Sequence, residues 1–159
     1  MFRYIRKLIK FLPPVEQIQT IIIIMAVFDF FKPKQNTSKQ FVTEQAFKIN
    51  LTKQMQMTPQ TMGQLGKMNV SPDKELKLEY FFYTNTADKA RLFAKEMGKL
   101  NYEVKFGQSA GKDKNFLITS WTTKMKMEEN VVAGWTKQMC ELGYRFDCDF
   151  DGWRTSPNQ

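Results

Sequence analysis

Tyr144-Arg145-Phe146-Asp147-Cys148-Asp149-Phe150-Asp151-Gly152-Trp153-Arg154-Thr155 stands near the end of a 159-residue chain and admits two incompatible readings. As a string, Asp147-x-Asp149-x-Asp151-Gly152 matches the opening of an EF-hand calcium loop. As a period, apolar Tyr144, Phe146, Cys148 and Phe150 alternate with charged Arg145, Asp147, Asp149 and Asp151, the pattern of a half-buried strand. The calcium string fails on its own terms. A loop opening at Asp147 needs a bidentate Glu at its twelfth position, where Asn158 stands, and a helix before it, where a period-two segment runs. The strand reading points Phe146, Cys148 and Phe150 into a core and Asp147 and Asp149 outward, with Asp151-Gly152-Trp153 closing the strand. No metal and no cofactor is expected.

Working back from that strand, Val132, Trp135, Met139 and Leu142 recur at helical spacing, with Glu128 and Glu129 in the first turn and Gly143 as the stop. Trp135 belongs to the core. Phe116 to Thr122 is a strand, joined through a Gly-containing loop over 107–115 to a strand carrying Tyr102, Val104 and Phe106. Before it, Ala90, Phe93, Ala94, Met97 and Leu100 mark a helix over about 87–99, capped by Asn85 or Thr86. Leu76 to Tyr83 alternates and starts the series. The order β-α-β-β-α-β over residues 76–156 predicts an α+β, ferredoxin-like domain. Its four-stranded antiparallel sheet would carry both helices on one face, with the first and last strands adjacent.

Upstream, Thr58 as N-cap and Pro59 as first helical residue predict a short helix to about Met68, so 58–75 reads as a small helical module. Residues 1–57 read as an extension and linker, with 32–58 poor in large apolar groups. Residues 2–12 form an amphipathic pattern suited to a membrane surface. Ile21 to Phe28 is too short for a transmembrane helix, which needs about 20 apolar residues, so no integral membrane insertion is expected. Translation starting at Met25 is the alternative account of residues 1–24.

The net charge of +8 divides unevenly: +5 over residues 1–40, +1 over 41–75 and +2 over 76–159. A near-balanced C-terminal region leaves little electrostatic footprint for binding a phosphate backbone. The chain has no histidine, which removes the commonest general base and zinc ligand. Cys140 and Cys148 read as structural thiols, and Cys140 has no histidine to activate it. Asp147 and Asp149 on one strand face could act as an acid/base pair only if something raised one pKa, and an open face offers nothing of the kind. Phe81, Tyr83 and Trp121 would form an aromatic patch on the uncovered sheet face, unless the N-terminal module lies over them. With Asp147 and Asp149 near it, such a patch favours a basic protein segment over phosphate.

At Leu78-Glu79-Tyr80-Phe81-Phe82-Tyr83-Thr84, at Trp121-Thr122-Thr123-Lys124-Met125 and above all at Phe146-Asp147-Cys148-Asp149-Phe150-Asp151-Gly152-Trp153, the sequence resembles the RraB family, regulators of ribonuclease E activity. The likeness runs from about Leu76 to Thr155. It implies a ferredoxin-like fold and a cytoplasmic, non-enzymatic protein that binds ribonuclease E, a ribonuclease of the E/G type or another degradosome component and restrains RNA cleavage. The expected contact residues are Phe81, Tyr83, Trp121, Asp147, Asp149, Asp151 and Trp153. The rival expectation is an RNA-binding module using Phe81, Tyr83 and the lysines of residues 112–126, although Asn115 to Trp121 lacks the basic-Gly-aromatic motif of RNA-recognition strands.

Overall fold

The structure, a computed structural model, describes residues 39–110 and 115–159. The patterns at residues 2–12, the apolar run of Ile21 to Phe28, the start at Met25, and Lys112 and Lys114 lie outside the described residues.

Short polar residues set the helix ends. Helix α1 (Glu44–Lys67) opens on Thr43, whose side chain accepts from the Ala46 amide at 3.1 Å. It closes with Asn69 in the left-handed region at φ 61° and the Val70 amide donating to the Leu65 carbonyl at 3.1 Å. Helix α2 (Ala87–Gly98) is capped by Thr86 and followed by Asn101 at φ 59°. Helix α3 (Glu129–Arg145) is followed by Asp147 at φ 57°, with the Cys148 amide returning to the Gly143 carbonyl at 2.9 Å. Asn and Asp tolerate this conformation because their short side chains relieve the Cβ clash by local hydrogen bonding.

Strands β2 (Glu79–Thr84), β3 (Lys105–Gln108), β4 (Phe116–Trp121) and β6 (Asp149–Arg154) form an antiparallel sheet in the order β3-β4-β2-β6. Short β1 (Glu75–Leu76) and β5 (Met125–Lys126) pair separately beside it. The expected strand over Leu76 to Tyr83 is thus divided between β1 and β2. The period-two alternation of β2 buries Tyr80, Phe82 and Thr84 on one side. There Phe82 meets Phe93 of α2 at 4.5 Å and Phe150 of β6 at 4.8 Å, while Trp135 of α3 meets Phe150 at 6.0 Å. Both helices therefore cover the same face, and the expected burial of Trp135 is observed.

Several expectations are corrected. The helix foreseen from Thr58 begins at Glu44, so residues 44–57 are helical rather than linker. Composition misleads there because specific contacts hold the helix where no continuous apolar stripe does: Phe47 stacks on Tyr144 at 4.4 Å, Leu51 and Met62 pack against the core, and the Thr58 and Thr136 hydroxyls meet at 3.3 Å. Thr58 does not cap a helix; its hydroxyl donates to the Gln54 carbonyl one turn back at 2.9 Å. Pro59 lies inside α1, where it removes a main-chain bond and crowds the preceding turn. An interior proline costs about 3 kcal/mol, partly offset by about 0.4–1 kcal/mol from a stiffer unfolded chain. Pro59→Ala is therefore expected to raise stability by about 2 kcal/mol in urea unfolding. A neutral or destabilising result would return Pro59 to the first turn of a helix.

The closing stretch is helix, turn and strand in succession. Tyr144 and Arg145 belong to α3, Asp147 forms the left-handed turn, and only Asp149 onward is strand. The alternation of Tyr144 to Cys148 is a coincidence of a helix end meeting a turn. A bulge then interrupts β6: Phe82 pairs with Phe150 but Phe81 with Gly152, which leaves Asp151 as the extra residue. The insertion reverses the faces beyond it. Trp153 pairs with Tyr80 and packs against the core, not on the open face.

Candidate functional site

Residues on the sheet face away from α2 and α3 come from three strands. Phe81 and Tyr83 of β2 lie beside Thr119 and Leu117 of β4, and Glu79 beside Trp121. All six are partly exposed. The bulge places Arg154 on this side, opposite Glu79. Its guanidinium pairs with the Glu79 carboxylate and stands 5.2 Å from the Phe81 ring centroid, a cation–π contact. Thr119, between Phe81 and Lys105 in the register, has a buried hydroxyl oxygen without a hydrogen-bond partner among the described residues. The face thus offers flat aromatic surface, one neutralised ion pair and one unsatisfied hydroxyl.

Helix α1 does not cover it. It packs along α3 and caps the outer edge of β6. Asn50 Nδ2 donates to the Phe150 carbonyl and to Asp149 Oδ1, both at 2.8 Å, and Gln54 Nε2 reaches the same carbonyl at 3.3 Å. Gly152, at φ 119°, lies beside Gln54 and has a backbone conformation that other residues rarely adopt. Side-chain amides thereby occupy one main-chain acceptor, the Phe150 carbonyl, on an edge that would otherwise invite strand pairing.

The expected carboxylates are not gathered on the open face. Asp147 accepts from the Phe41 and Val42 amides at 2.7–3.0 Å and pairs with Lys89 Nζ at 2.6 Å. Lys89 and Asn85 in turn donate to the Lys39 carbonyl. Asp147 is a clamp joining residues 39–42 to α2 and the end of α3, and its left-handed backbone aims it there. Asp149 is held by Asn50, and Asp151 is exposed at the bulge. Of the two aspartates, only Asp149 stands beside the aromatic patch, opposite Tyr83, and one of its carboxylate oxygens is taken by Asn50. Of the residues expected to make contact, Phe81, Tyr83 and Trp121 come together and Asp149 stands opposite Tyr83 at the edge of the same face, whereas Asp147, Asp151 and Trp153 do not join them. Leu117, Thr119 and Arg154 were missed; the alternation of β4 could have found the first two, but the bulge hides Arg154.

Burial alone would raise the Asp147 carboxyl. The Lys89 hydrogen bond and the Val42 and Phe41 amides outweigh it, so the group lies below the usual carboxylate range. A depressed acid stabilises the fold at pH above its unfolded value, about 4, and that stabilisation is lost as pH falls through the folded value. Asp149 shifts the opposite way, because burial raises it and Asp151 adds repulsion against the opposing Asn50 hydrogen bond. The stability difference between the wild type and Asp147→Asn is expected to be full at pH 7 and to shrink below about pH 4. A difference constant from pH 7 to pH 3 would show that the charge contributes nothing. Burial pushes both Cys140 and Cys148 up to about 12, opposite to what a nucleophile requires.

The domain is thus a small α+β unit with helices packed on one side of its sheet and an aromatic surface on the other. Residues 55–155 match the family described as "Regulator of ribonuclease activity B", and the chain belongs to that family, RraB. The match begins within α1. No curated protein matches the chain. Among the described residues, no helix is long and apolar enough to cross a membrane.

Proposed function

We propose that this chain is a non-enzymatic, cytoplasmic regulator that binds ribonuclease E, or a related RNA-degradation protein, through the open face of its sheet. Family membership supports the regulatory role. The observation that carries the choice of surface is the Phe81, Tyr83, Leu117 and Trp121 patch, which α1, α2 and α3 leave uncovered. Aromatic residues with a neighbouring arginine are the side chains that dominate protein interfaces. The strand order β3-β4-β2-β6, with β2 and β6 adjacent, supports a ferredoxin-like assignment.

Binding of the purified chain to immobilised ribonuclease E tests both halves of the proposal. Phe81→Ala combined with Trp121→Ala is expected to weaken binding at least about tenfold. Ile49→Ala on the outer face of α1, 63 % exposed, serves as the control and should leave it unchanged. Binding by the double variant equal to wild type would remove the face from the proposal, and no binding by wild type would remove the partner. The RNA-binding alternative rests on Phe81 and Tyr83 with the lysines of residues 112–126, of which Lys124 and Lys126 lie among the described residues. Its signature is an affinity that falls steeply with salt, by about 0.7–0.9 log units per phosphate contact for each log unit of salt. Arg154, already paired with Glu79, favours the protein reading.

A further inference from the structure

The two edges of the sheet are finished differently. On β6, α1 supplies amide side chains to the Phe150 carbonyl, and the bulge at Asp151 distorts the strand. On β3, all four residues are exposed, Phe106 at 42 %, and the strand carries neither a bulge nor a proline. The Ser109 amide donates to the Asn115 carbonyl at 2.7 Å and continues the β3–β4 ladder, which sets its phase. Lys105, Gly107 and Ser109 then exchange main-chain bonds with β4, while the main-chain groups of Phe106 and Gln108 point away from the sheet.

We propose that this edge pairs with the same edge of a second copy of the chain, antiparallel and centred on Gly107, joining two four-stranded sheets into one of eight. Among the described residues only the β3 edge is both unpaired and undistorted, so the contact is isologous and closes at two copies. The register is self-complementary. Phe106 faces Gln108 of the second copy, and the outward groups of both strands make four main-chain hydrogen bonds. Lys105 faces Ser109 rather than its own image, which avoids like charges directly opposite. The two glycines meet at the non-hydrogen-bonded position, where Cα atoms come within about 4.5 Å. Phe106 lies on the helix-covered side, opposite Ile118, so the two Phe106 rings stand diagonal to each other and within reach. Pairing buries both rings. Such a dimer would also set two aromatic faces side by side.

The contact is smaller than the roughly 1,600 Å² of a standard interface, so dimerisation is expected to be weak and visible only at high concentration. Sedimentation velocity of the full chain, from low to high micromolar, should show the mass rising from one copy to two. Gln108→Pro removes an outward N–H and should weaken association at least about tenfold, with circular dichroism and melting temperature retained. Gly107→Cys is sterically free, since an added Cβ meets nothing within 4 Å, and should oxidise readily to a disulfide-linked dimer. Lys105→Cys, which faces Ser109, should not. A single-copy mass at every concentration would overturn the proposal, and so would a dimer indifferent to Gln108→Pro and uncrosslinked by Gly107→Cys.

Discussion

Gly143→Ala is expected to destabilise the fold by about 3 kcal/mol, the upper end for overpacking a core. A Cβ at this position would stand 2.6 Å from the Cys148 carbonyl oxygen and 2.8 Å from Cε1 of Phe82. Neither neighbour can retreat cheaply. The Cys148 main chain is held by its own amide, which donates to the Gly143 carbonyl as the chain doubles back over the end of α3. Phe82 is fully buried between Phe93 and Phe150. Moving α3 outward would open the seam that Trp135 and Met139 fill. Gly134, in the same helix, meets nothing within 4 Å, so Gly134→Ala should be neutral or slightly stabilising and provides the control. Urea unfolding of the two variants decides the matter: equal stabilities would mean that the close approach at Gly143 is not a constraint.

Asp147→Ala is expected to cost about 3 kcal/mol. It leaves the Phe41 and Val42 amides and the Lys89 ammonium without their acceptor. It also places a Cβ residue without local hydrogen bonding in the left-handed region, at a cost of about 1 kcal/mol. Two companion variants separate these causes. Asp147→Gly relieves the backbone but removes the acceptor; Asp147→Asn keeps the local hydrogen-bonding shape and loses the charge. If Asp147→Gly matches wild type, the carboxylate contributes no more than the backbone strain the glycine relieves. Hydrogen exchange gives a local readout. The Phe41 and Val42 amides should exchange faster in all three variants, because residues 39–42 are tied to the domain through this group.

Much of the domain was legible because local and tertiary preferences agree. Helix α2 has its N-cap at Thr86 and its stripe of Ala90, Phe93 and Met97, and its boundaries were read almost to the residue. Strand β2 alternates over six residues with one covered face, so Tyr80 and Phe82 were separable from Phe81 and Tyr83. The patch of Phe81, Tyr83 and Trp121 was foreseeable for the same reason, since side-chain direction on a regular strand follows parity. Parity also explains the failures. At Asp151 one inserted residue reverses every face beyond it, sending Trp153 to the core and Arg154 to the open face. Nothing local announces the insertion except Gly152, which has several other common uses.

The sequence by itself determined the α+β element order, the identity of the core aromatics and the likeness to RraB, because periodicity, caps and a compact closing motif are local properties. Tertiary structure alone decided the rest. Helix α1 extends through Pro59 because Phe47, Thr58 and Leu65 find partners elsewhere in the domain, and those partners outweigh an unfavourable propensity. Asp147 takes the role expected of Gly143: the aspartate adopts the left-handed turn that follows α3, and the glycine is needed for close approach within the helix. That turn aims the Asp147 carboxylate at Lys89 and the amides of residues 41–42, more than a hundred positions away in sequence. A contact of that separation has no periodic or compositional trace, so only the folded chain could show it.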